Sequence, residues 1–122
     1  MLEPLLGSGI REKVLLFIYA RGEGYAREIA GFFKTGLDPV QKQLKRLEAG
    51  GILLSCFKGR TLLYRFNPQY QFIDELKSLL RKALKYCPSD IRDNLTDVSE
   101  WGRKSTPGKR DRYTVHGYRR SE

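Results

Sequence analysis

Apolar residues recur along the first half of the chain at intervals of three and four, the spacing that keeps side chains on one stripe of a helix. Between residues 8 and 20 the stripe is Ile10, Val14, Phe17 and Ile18, behind Ser8, whose hydroxyl suits a helix N-cap. RGEG then breaks the pattern. Ala26, Ile29, Ala30 and Phe33 resume it over 26–34. The stretch VQKQLKRLEAGGIL sets Val40, Leu44 and Leu47 among long polar side chains and predicts a third helix over 38–49. Asp38 is placed to cap it, Pro39 to take its first position, and Gln41 to complete a capping box. Gly50 and Gly51 end it by tolerating the left-handed conformation.

The pattern then changes period. ILLSCFKGRTLLYRF reads as two strands, about 52–57 and 61–66, joined by the short glycine-containing turn KGR. After NPQY, a helix over 72–86 carries Ile73, Leu76, Leu80, Ala83 and Cys87 along one seam. Beyond Pro88 the apolar content falls, and SDIRDNLTDVSEW supports one weak turn or two of helix. The expected fold class is therefore mainly α with a small β-hairpin. Residues 1–86 form one domain, and 87–122 a polar extension ending in a disordered basic tail.

Charge narrows the set of partners. Of 122 residues, 23 are Lys or Arg and 14 Asp or Glu, a formal +9 that favours a polyanion. Residues 103–122 hold seven basic against two acidic side chains, +5 of that total. The longest apolar run, VLLFIYA, is far short of the roughly 20 residues that span a bilayer, so a cytoplasmic protein is expected. Cys56 and Cys87 have no C-x-x-C spacing and His116 is the single histidine, so neither a metal site nor a His-based triad is expected. No phosphate-cradling glycine loop or nucleophile beside a base is present, and no enzyme activity or cofactor is expected.

Helix, tight turn, helix and basic hairpin, in that order, are the parts of a winged helix-turn-helix. Opposite Val40, Leu44 and Leu47, the helix over 38–49 presents Asp38, Lys42, Lys45 and Ala49, flanked by Gln41 and Arg46. Gln pairs with adenine and Lys or Arg donates to guanine in the major groove, while cations displace counterions from phosphate. Lys58 and Arg60 in the hairpin would meet the neighbouring backbone or minor groove, and Arg27, near the start of the second helix, a phosphate. The bland alternative for such a face is simple solvation. Tyr25, Tyr64 and Phe66 read as packing residues, Cys87 as a buried thiol, and Trp101 as a pin for the tail or an exposed ring.

Three segments, YAREIAGFF, VQKQLKRLEAGGIL and GRTLLYRFNPQYQFIDELKSLL, resemble the ArsR-like winged-helix transcriptional regulators of bacteria and archaea. The subgroup they resemble also occurs beside or fused to small nucleotidyltransferases. The resemblance spans about residues 8 to 85. It implies a homodimer that reads double-stranded DNA with the third helix and the wing and pairs through its first and last helices. On the residues themselves, Ile73, Leu76, Leu80 and Ala83 offer the apolar dimer interface. The cysteine pair of metal-sensing members has no counterpart, so metal sensing does not carry over. Two other classes of function remain open: a protein–protein adapter, or an RNA-binding partner of a nucleotidyltransferase-type enzyme.

Overall fold

The computed structural model describes residues 2–96, which are mainly helical with one three-stranded antiparallel sheet. The basic segment 103–122, with the tail expected there, and Trp101 lie outside the described residues. The elements run α1 (Glu3–Leu6), α2 (Gly9–Arg21), β1 (Gly24–Tyr25), α3 (Ala26–Phe33), α4 (Leu37–Ala49), β2 (Leu53–Lys58), β3 (Thr61–Phe66), α5 (Ile73–Lys85) and α6 (Ser89–Leu95).

Ser8 caps α2 as its hydroxyl suggests, accepting the Arg11 N–H at 3.1 Å. The helix does not bury one stripe, however. Val14, Leu15, Leu16, Phe17 and Ile18 are all buried, so α2 is surrounded rather than amphipathic, as expected of a helix apolar all round. Helices α1, α3, α4, α5 and α6 and the sheet all pack on it.

RGEG does more than end a helix. Gly24 and Tyr25 form β1, paired with Tyr64 and Leu63 of β3, which gives the sheet the order β1-β3-β2. A side chain at Gly24 would bring a Cβ within 2.9 Å of the Phe17 ring, so only glycine lets this strand approach α2.

Helix α4 begins one residue earlier than predicted, with Gly36 at the N-cap, so Asp38 is not the cap and Gln41 closes no capping box. Pro39 is tolerated as its third residue because first-turn N–H groups have no intrahelical partner. At the other end Gly51, not Gly50, takes the left-handed conformation, at φ +83°. The Gly51 and Ile52 N–H groups then close back on the Glu48 and Leu47 carbonyls at 3.0 and 2.9 Å.

The seam of α5 faces its own domain. Ile73, Leu80 and Ala83 are buried in the core, and of the four residues expected at a dimer interface only Leu76 keeps partial exposure. The physical reason is the apolar circumference of α2, which α5 is needed to cover.

Nor does packing stop at residue 86. Cys87 and Leu95 are buried, and α6 is fastened by Arg21, whose Nε and Nη2 donate to the carbonyls of Leu95 and Asn94 at 2.8 and 2.9 Å. The polar extension therefore opens with a packed helix. Leu80→Ala should lower stability by about 2–5 kcal/mol in urea unfolding, because the site is fully buried. Leu80→Glu should abolish the helical circular dichroism signal rather than split a dimer, and a folded Leu80→Glu monomer would contradict this placement.

Candidate nucleic-acid interface

Two helices and a three-residue turn form the first part of the site. Glu28 reaches back to accept the Tyr25 N–H at 3.3 Å and stands 4.0 Å from Arg21, which fixes the start of α3 against the end of α2. Lys34 leaves α3 in the left-handed conformation at φ +56°, unusual for a residue with a Cβ, and its N–H returns to α3. Thr35 and Gly36 then turn the chain into α4. No sequence signal marked Lys34, which adds an exposed cation just before α4.

The two sides of α4 part as its periodicity dictates. Val40, Leu44 and Leu47 are buried, whereas Asp38, Gln41, Lys42, Lys45, Arg46 and Ala49 are exposed. Between these sides Gln43 is half-buried, and its Oε1 accepts from Arg11 Nε at 2.8 Å. Arg11 Nη1 also donates to the Leu6 carbonyl, at 2.6 Å. Gln43 is thus a tether between α4 and the start of α2, a role invisible in its composition alone. Arg27 is exposed on the first turn of α3, on a different helix from the other candidates.

The hairpin supplies the second part. Register runs from Leu53↔Phe66 to Lys58↔Thr61, leaving Gly59 and Arg60 as a two-residue loop. Gly59 takes φ +68°, the conformation such a tight turn asks of its first residue. Lys58 is half-buried and Arg60 exposed.

A buried polar contact holds this hairpin to α4. Ser55 Oγ donates to Glu48 Oε2 at 2.7 Å, and both residues are buried. Tyr64, across the strand pair from Ser55, is pushed up to about 12 by burial and by the nearby Glu48 carboxylate. Beyond β3, the buried Asn67 donates from Nδ2 to the Gly51 carbonyl at 2.8 Å, and its Oδ1 accepts the Gln69 N–H at 3.0 Å. Ser55 within β2 and Asn67 just after β3 therefore both tie the hairpin to the C-terminal end of α4. Lys58 lies three residues past Ser55, about 10 Å along the strand.

Elsewhere the chemistry is structural. Burial, then the Glu12 charge, pushes the Cys87 thiol up, which disfavours the reactive thiolate. Among the described residues no group of three or more His, Cys, Asp and Glu could hold a metal, and no helix is long and apolar enough to cross a membrane. Compared with protein-family models, curated proteins and solved structures, the chain has no match.

Removing the hydroxyl with Ser55→Ala leaves a buried carboxylate short of a donor and should cost about 1–3 kcal/mol in chemical denaturation. Tyr64 gives a pH test. Its folded pKa lies above the ordinary tyrosine value, so its contribution is complete below pH 10 and is lost as pH rises from 10 towards 12. Across that window the stability of the native chain should fall relative to Tyr64→Phe by roughly 2 kcal/mol, measured by urea titration at successive pH values.

Proposed function

We propose that this chain is a sequence-specific regulator of transcription that binds double-stranded DNA as a winged helix-turn-helix. In this reading α3 and α4 are the helix pair, α4 lies in the major groove, and the β2–β3 hairpin is the wing. The observation that carries it is the divided surface of α4: three apolar anchors buried on one side, and Gln41, Lys42, Lys45 and Arg46 exposed on the other. Mere solvation of a charged face would not call for a basic hairpin braced against the same helix by a buried Ser55–Glu48 bond. The net +9 charge and the resemblance of residues 8–85 to ArsR-like regulators support the same reading.

Each part has its own task. Gln41, Lys42, Lys45 and Arg46 contact base edges and flanking phosphates, while Lys58, Arg60 and Arg27 contact the backbone, positioning the protein without identifying the site. A homodimer would present two such helices to a palindromic operator. Its seat is no longer Ile73, Leu80 and Ala83, which the core consumes.

Gln41→Ala or Lys42→Ala should cost about 1–3 kcal/mol on a selected DNA site and little on a scrambled one. Lys58→Ala combined with Arg60→Ala should weaken both DNAs by a similar factor and flatten the salt dependence. Fluorescence-anisotropy titrations at two salt concentrations measure both. Absence of any salt-dependent duplex binding would favour the adapter reading, and preference for single-stranded or structured RNA the third. Deleting residues 103–122, with their seven basic side chains, should also flatten the salt slope while leaving the preferred sequence unchanged.

A further inference from the structure

A cavity of about 590 Å³ opens between α1, α2, α4 and α5. Its walls are leucines from four directions, among them Leu6, Leu15, Leu47 and Leu79, and its polar side chains are Tyr70 and two arginines, Arg11 and Arg46, against one carboxylate, Glu75. The volume and the predominance of apolar lining are those of sites for small organic ligands.

The arginines indicate what kind of ligand. Arg11 is half-buried, yet its guanidinium donates only to neutral oxygens, those of Gln43 and Leu6. Neither Arg11 nor Arg46 has a carboxylate within ion-pair distance among the described residues. A half-buried cation without a counter-charge is costly, and an anion at the cavity edge would relieve that cost. The remaining lining offers an apolar body a seat of leucine and aromatic side chains. We propose that this cavity binds an amphipathic monoanion: an aliphatic carboxylate whose chain lies among the leucines and whose head meets Arg11 and Arg46.

The site is joined to α4 in two ways. Arg46 and Leu47 belong to that helix, and Arg11 tethers its Gln43 at 2.8 Å. A carboxylate on Arg46 withdraws one cation from the exposed face of α4, and one on Arg11 competes with the Gln43 tether. Ligand and polyanion therefore oppose each other, and the coupling is reciprocal. Binding of the carboxylate stands independently of the DNA-binding reading; its effect on DNA rests on that reading.

Isothermal titration calorimetry of the full chain with decanoate, below its micelle-forming concentration, tests the site. Saturable one-to-one binding is expected, with 1-decanol and the Arg46→Gln variant each at least tenfold weaker. Leu79→Trp, which narrows the cavity with a bulky ring, should weaken the binding at least tenfold; its thermal melt serves as the fold control. If that variant does not fold, competition between decanoate and a dansyl-labelled fatty acid on the wild-type chain replaces it, and failure to compete counts against the site. No saturable heat, equal affinity for decanol, or binding undiminished in folded Leu79→Trp each overturns the proposal. No heat together with a light-scattering mass of twice 14.1 kDa would assign the groove to a second copy of the chain. The DNA arm separates the two readings. Decanoate should weaken duplex binding several-fold in wild type but not in Leu79→Trp, whereas a chain that binds decanoate and no DNA refutes only the regulator.

Discussion

A helix without a polar face sets the terms for everything around it. Val14 to Ile18 are five consecutive buried apolar residues, so over this stretch no side of α2 is left to water, although Lys13 just before it is exposed. Five helices and the sheet close over it, and this requirement explains why α5 turns its seam inward and why α6 is held to the body. Burying a leucine or phenylalanine of this kind is worth about 1.5–3 kcal/mol. The apolar seam of Ile73, Leu80 and Ala83 is thus buried within the chain itself.

The end of α2 carries the second constraint, a buried charge. Arg21 is 5% exposed, its guanidinium lying 5.0 Å from the Phe17 ring centre and 5.6 Å from that of Phe32. It satisfies its donors on the last carbonyls of α6, where a cation also complements the helix dipole, and keeps Glu28 of α3 nearby. One side chain therefore sets the relative placement of three helices, and α3 in turn positions α4 through a three-residue turn.

Around α4 the same logic operates with uncharged and singly charged groups. Gln43 is held by Arg11 near its centre, Glu48 by Ser55 at its C-terminal end, and Gly51 by Asn67 just beyond. These contacts fix the helix in rotation and fix the hairpin to it. In the proposed DNA-binding reading that rigidity matters, because base-edge hydrogen bonds tolerate little misplacement. Cavity, tether and exposed cationic face all converge on this one helix, so a ligand in the cavity would have direct mechanical and electrostatic access to it.

Periodicity alone determined the helices near 8–20, 26–34, 38–49 and 72–86, the hairpin and its turn, and the division of α4 into buried Val40, Leu44 and Leu47 and exposed Gln41, Lys42, Lys45 and Arg46. Those features depend on neighbours within a few residues, which the local pattern records. Tertiary structure decided the rest. Strand β1 is two residues long and exists only because β3 passes beside it, and α6 is held by an arginine more than seventy residues away in sequence. Whether the α5 seam faced inward or outward depended on how much of α2 remained uncovered, and the tethering role of Gln43 depended on Arg11. A stripe at helical spacing states that one side is apolar; only the three-dimensional packing states what covers it.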